Sequence, residues 1–130
     1  MSCLMGKVIG EFHFQAVVPV PLHPKRLRER GFNQALSLAR FVSRFHSIPL
    51  DRSNLVRVRW TNTQVGLSER KRKENVKGAF LVKKERYFQN KHLLLVDDVY
   101  TSGSTVDECA KVLLNAGARS VQILTLARAA

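Results

Sequence analysis

One short run limits the folds open to this chain more than any other: LLLVDDVYTSGST, residues 93–105. The apolar part, HLLLV, is too short for a helix of its own and leads directly into turn chemistry. It predicts a strand buried on both faces, which is the environment of a parallel sheet. Residues 105–116 then predict a helix, with Gly117 just past its end, and VQILTLA predicts a last strand. Strand, helix and strand in that order imply an α/β fold: a parallel, twisted sheet flanked by helices.

The rest of the chain fits that frame. AVVPVP (16–21) is short and β-branched, so it predicts a strand, and its prolines place it at an edge or a strand end. LHPKRLRERGF predicts a loop. Asn33 is a suitable N-cap for QALSLARFVSRFH, in which Leu38, Val42 and Phe45 recur at helical spacing with Arg40 and Arg44 off that stripe. Pro49 ends that helix near Ser47. NLVRVRW (54–60) alternates like a half-buried strand, and GAFLV predicts another. Residues 61–76 are polar, charged and nearly aperiodic, which predicts a functional lid or a disordered stretch. The expectation is one domain over residues 1–130.

The turn after the apolar run carries the chemistry. In parallel α/β sheets, ligands bind beyond the carboxyl ends of the strands. Asp97 and Asp98 stand at such an end. Neighbours in a regular strand point to opposite faces, so both carboxylates serve one ligand only if the strand is ending there. Gly103 opens backbone angles that let successive N–H groups converge on an anion. Thr101, Ser102, Ser104 and Thr105 add hydroxyls, and the next helix turns its positive end to the same spot. Thr105 and Glu108 also match a capping box. A donor cradle beside two acceptors suits a ribose 5-phosphate, with its phosphate at one end and a 2,3-diol on the ring. Neither a P-loop nor a dinucleotide fingerprint is present.

At these residues the sequence resembles the phosphoribosyl-diphosphate signature of type I phosphoribosyltransferases. Two further blocks, VVPVPLHPKRLRERGFNQALSLA and LVRVRWTNTQVGLSERKRKENVKGAF, resemble the competence-associated ComF/GntX family of phosphoribosyltransferase-like proteins. The resemblance implies a type I phosphoribosyltransferase-like core that binds phosphoribosyl diphosphate with Mg²⁺ and transfers the group to a nitrogen acceptor. It implies that Asp97 and Asp98 hold the ribose hydroxyls and that Thr101, Ser102, Gly103, Ser104 and Thr105 wrap the 5-phosphate. Leu22, His23 and Pro24 would face the diphosphate, with Arg28 and Arg30 near. A flexible loop with Arg57, Arg59, Gln64 and Arg70 would close over it. The ion would take most of its ligands from substrate and water. Such proteins usually carry a cysteine-rich, zinc-ribbon-like segment at the N-terminus; with no cysteine near Cys3, the expectation is that this segment is absent.

Charge widens the choice of partner. Lys and Arg number 22 against 10 acids, a net charge of +12. A balance this basic points to phosphates, nucleic acid or an anionic surface. Together with the competence association that the resemblance implies, this charge makes the alternative to an enzyme a DNA-uptake accessory protein that binds single-stranded DNA through its basic surface, with DNA-uptake proteins as further partners. Cys3 and Cys109 lack metal or disulfide spacing, and Cys109 reads as a small packed residue. His13, His46 and His92 are scattered, so no protein-built metal site is expected. Trp60 reads as packing at a strand end. With no apolar run of membrane length and no signal-like start, the expected location is cytoplasmic.

Overall fold

The computed structural model describes residues 13–22, 27–29, 31, 33–59, 68–100 and 103–128. In chain order the elements are β1 (Ala16–Pro19), α1 (Gln34–His46), β2 (Leu55–Arg57), α2 (Glu69–Val76), β3 (Phe80–Val82), β4 (His92–Tyr100), α3 (Ser104–Asn115) and β5 (Ser120–Arg128). A 3-10 turn, Glu85–Tyr87, precedes β4. β1, β4 and β5 form a parallel sheet in the order β1-β4-β5, and β2 and β3 form a separate antiparallel pair.

β4 is central because its side chains are apolar on both faces. Leu93, Leu94, Leu95 and Val96 are all buried. Alternation sorts them. Leu93 and Leu95 join Val18, Val106, Cys109 and Leu113 in the core beneath α3. Leu94 and Val96 join Val17, Leu38, Ala39 and Val42 beneath α1. Each such side chain contributes about 2 kcal/mol by leaving water. β1 ends at Pro19, at the sheet's outer side, as its missing N–H requires. That side is not bare: Val17 N–H donates to Pro49 O at 2.8 Å, and Asp51 N–H donates to Val17 O at 2.9 Å.

α1 starts where the sequence says. Asn33 Oδ1 accepts from the N–H groups of Ala35 (3.0 Å) and Leu36 (3.4 Å). It ends at Ser47, whose φ of 54° is left-handed. Its buried stripe is Ala35, Leu38, Ala39 and Val42. Phe45, expected on that stripe, is 70% exposed and stacks on Phe41 instead. Small alanines let the helix approach the sheet closely, and the stripe closes without the ring.

Three more expectations change. Residues 27–29 are helical, inside a stretch read as loop. Within residues 61–76, the part from Glu69 onward is helix α2, capped by Ser68 Oγ, which accepts from Lys71 N–H at 3.3 Å. Its Val76 is buried in the core beneath α3, so this half is regular and anchored at its carboxyl end, not the aperiodic stretch expected. Residues 60–67, with Trp60 and Gln64, lie outside the described residues. The capping box also moves: α3 begins at Ser104 with Gly103 as N-cap. Glu108 accepts from Gly78 N–H at 3.2 Å and ties α3 to the turn after α2.

Candidate functional site

β4 does not stop at its aspartates, so the strand end expected to bring both carboxylates to one ligand is not there; a hydrogen bond between the Asp97 and Asp98 side chains holds them together instead. It pairs with β5 through Asp97, Val99 and Tyr100. β5 is long enough to keep satisfying its backbone, so pairing prevails over the turn-forming side chains. The other side of β4 behaves differently. Pairing to β1 ends at Pro19 and Val96, closed by Val20 N–H donating to Val96 O at 2.8 Å. Asp97 and Asp98 therefore lie on an overhang, at the carboxyl end of the sheet and past the last residue of β1.

The pair interacts closely. Asp98 N–H donates to Asp97 Oδ1 at 2.9 Å. Burial, then a hydrogen bond to the Asp98 side chain, pushes the Asp97 carboxyl up to about 7, against the opposing pull of Arg57. Asp97 is thus poised to gain or lose a proton near neutrality. The Cys109 thiol, buried on the same side, is pushed well above its ordinary value by desolvation, so it is a packed, inert group.

Gly103 carries a φ of +84°, the left-handed region that glycine occupies without strain. Gly103, as N-cap, gives α3 no side-chain cap. The helix, 12 residues long, therefore presents its positive end and first amides beside the acidic overhang. Ser104 is buried and Thr105 is half-buried at this junction. Thr101 and Ser102 lie outside the described residues.

Among the described residues, Arg57 is a cation whose charge reaches this point. It was expected in a flexible loop, but it stands in β2, opposite Phe80 of β3, with its guanidinium 4.9 Å from the Phe80 ring centre. Arg57 also lines a cavity of about 450 Å³ with Leu22, Leu27, Asn33, Arg40 and Arg52. Leu22, expected to face the diphosphate, lines this cavity just after β1. Arg40 and Arg52 were missed. The spacing of Asn33, Leu36, Ser37 and Arg40 on one helical face was the available signal for Arg40. Arg28 is exposed in the helical turn. His23, Pro24 and Arg30 lie outside the described residues. Arg59 and Arg70, expected in the same loop, make contacts within the described residues. Arg59 donates to the carbonyls of Asn75 (2.7 Å) and Lys77 (2.6 Å), and Arg70 pairs with Glu74 at 3.3 Å along α2.

Among the described residues, no three His, Cys, Asp or Glu side chains cluster to hold a metal. The two carboxylates suit a hard cation that takes its remaining oxygens from substrate and water. No described helix is long and apolar enough to cross a membrane.

A parallel α/β sheet flanked by helices, with an acidic pair and a glycine-led helix at its carboxyl end, defines the class of fold. The solved structures agree on the fold. The purine phosphoribosyltransferase of Pyrococcus horikoshii superposes on 97% of this chain and 69% of its own, with a TM-score of 0.62 at 15% identity. The chain belongs to the phosphoribosyl transferase domain family, whose model matches residues 33–130. The ComF resemblance is also borne out. Competence protein F of Haemophilus influenzae is 42% identical over 116 residues, covering 88% of this chain and 51% of that protein. The DNA utilization protein YhgH of Escherichia coli is 45% identical over 112 residues, covering 86% and 48%. The chain thus spans about half the length of these curated relatives.

Proposed function

We propose that this chain binds phosphoribosyl diphosphate together with Mg²⁺ at the carboxyl end of the sheet. We place it in the competence and DNA-utilisation processes for which its relatives are named. The observation that carries the reading is the overhang of Asp97 and Asp98 beside the Gly103-led start of α3. In this reading the carboxylates accept hydrogen bonds from the ribose 2- and 3-hydroxyls. The amides and hydroxyls of the turn hold the 5-phosphate. Arg57, with Arg40 and Arg52 in the adjoining cavity, faces the diphosphate. Bound Mg²⁺ would neutralise charge on the diphosphate oxygens.

The same arrangement suits displacement of diphosphate at ribose C1 by a nitrogen nucleophile. Positive charge develops on the ring, where the carboxylates stabilise it, and negative charge on the leaving group, where the arginines do. Asp97, titrating near neutrality, is placed to accept a proton. Calorimetry with phosphoribosyl diphosphate, with and without Mg²⁺, is the test. Asp97→Asn with Asp98→Asn should weaken binding by more than tenfold, about 1.4 kcal/mol. Binding within that factor of wild type would remove the ribose role.

A second reading, contact with single-stranded DNA, is favoured by one surface. Phe41 and Phe45 on the outer face of α1 are 56% and 70% exposed. Their rings stack at 5.8 Å, and Arg40 and Arg44 flank them in one shallow depression. Exposed rings among arginines suit base stacking beside phosphates. Phe41→Ala with Phe45→Ala should then weaken binding of a 12-nucleotide oligothymidylate several-fold. Unchanged affinity would dismiss the surface.

A further inference from the structure

The opposite end of the sheet holds another cavity, of about 700 Å³. It is lined by Gln15 and Ala16 at the start of β1, by residues 49–54, and by Lys83, Lys84, Tyr87 and Lys91. Six strand positions separate Lys91 from Asp97, roughly 20 Å at about 3.3 Å each. This cavity is therefore distinct from the acidic overhang.

Its wall is cationic and braced. Arg52, Lys83, Lys84 and Lys91 face one acid, Asp51. That carboxylate already accepts from the N–H groups of Ser53 (3.4 Å) and Asn54 (3.1 Å). Asn54 is buried and grips the Lys84 backbone twice. Lys84 N–H donates to Asn54 Oδ1 at 2.6 Å, and Asn54 Nδ2 donates to Lys84 O at 2.8 Å. Lys83 N–H donates to Asn54 O at 2.9 Å. The backbone carrying two of the lysines is thus fixed from below. Tyr87 is 45% exposed in the same wall, with Lys84 Nζ 5.9 Å from its ring centre and Arg86 5.1 Å away. A hydrogen bond from Arg86, and the charges of Arg86 and Lys84, hold its phenol below the ordinary value, a sign of the local positive field.

Four cations in one cavity repel one another until a polyanion enters. The volume lies in the range of small-molecule sites, about 300–1,000 Å³, and the aromatic ring offers a face for a flat heterocycle. We propose that this cavity binds a free nucleoside oligophosphate, with the base against Tyr87 and the phosphates among Lys83, Lys84 and Lys91. The site stands apart from the phosphoribosyl diphosphate reading and does not depend on it.

Calorimetry of the full chain with ATP tests this. Wild type binds ATP, and excess phosphoribosyl diphosphate does not displace it. Asp97→Asn with Asp98→Asn leaves ATP affinity unchanged, which separates the two sites whichever reading fails. Lys84→Gln with Lys91→Gln, both outside the core, weakens ATP at least about tenfold through lost charge-assisted bonds. Tyr87→Leu weakens ATP about fivefold but leaves inorganic triphosphate unaffected, because only ATP has a base to stack. Four results would each overturn the proposal: no binding at millimolar ATP, wild-type affinity in the double lysine variant, displacement by phosphoribosyl diphosphate, or a 12-nucleotide single strand bound at this wall in preference to ATP.

Discussion

At the residue scale the chemistry turns on Asp97 and Gly103. Asp97 has its carboxyl raised from 3.8 to about 7, chiefly by burial and then by its bond to Asp98. A raised carboxyl binds its proton more tightly in the folded chain than in the unfolded one. Stability from this group is therefore complete below about pH 4 and falls as pH rises through 7. Asp97→Asn abolishes that slope. The variant should gain about 1–3 kcal/mol over wild type at pH 8 and little at pH 4, read from urea unfolding at each pH. Parallel curves at all pH values would show that Asp97 ionises normally. In ligand binding the sign reverses, because the carboxylate form accepts the ribose hydroxyls: affinity for phosphoribosyl diphosphate should rise between pH 6 and 8 in wild type more than in the variant. Gly103 presents a steric case. At φ +84° a branched side chain is strained, so Gly103→Val should cost about 1–3 kcal/mol of stability and remove phosphate-ester binding. Normal stability together with normal binding would mean that the turn tolerates a side chain.

At the element scale, what the sequence disclosed depended on whether burial wrote a period into it. β4 was legible because four consecutive apolar residues have no other comfortable place than a two-faced core. α1 was legible in its caps, Asn33 and Ser47, and less so in its stripe, where the exposed Phe45 has the hydrophobicity of a core residue without its burial. α2 was not legible. It is almost wholly polar, and Val76 is its buried anchor. Much of its support comes from outside the segment, where Arg59 holds the carbonyls of Asn75 and Lys77. No periodicity within residues 69–76 encodes that grip. Arg59→Ala should therefore loosen the carboxyl end of α2 while the sheet stays intact. Trypsin cleavage near Lys71 and Lys73 should quicken several-fold, with the thermal midpoint lowered by only a few degrees. Unchanged cleavage would assign the helix's hold to Val76 alone.

For the whole molecule, the excess of 22 cations over 10 acids was plain in the sequence, but its distribution was not. Arg40, Arg52 and Arg57 meet only because α1, the 49–54 segment and β2 fold around one cavity. Lys83, Lys84 and Lys91 meet Arg52 in a second cavity at the other end of the sheet. Such meetings join residues far apart in the chain, which a linear pattern does not record. Arg52 lines both cavities, so positive charge runs from one to the other along the 49–57 segment. Diffuse repulsion and built anion sites make different demands on salt. If repulsion is only diffuse, any salt that shortens the screening length stabilises the fold equally at equal ionic strength. If the cavities and the start of α3 are anion sites, multivalent oxyanions stabilise further by binding the folded state alone, by about 2.7 kcal/mol when the anion is at a hundred times its dissociation constant. Inorganic phosphate or diphosphate should therefore raise the thermal midpoint well above sodium chloride of matched ionic strength. Gly103→Val should lose the part of that difference that belongs to α3. Lys84→Gln with Lys91→Gln should lose the part that belongs to the opposite cavity. Coincident melting curves in phosphate and chloride would show that the positive charge is a solvated surface and nothing more.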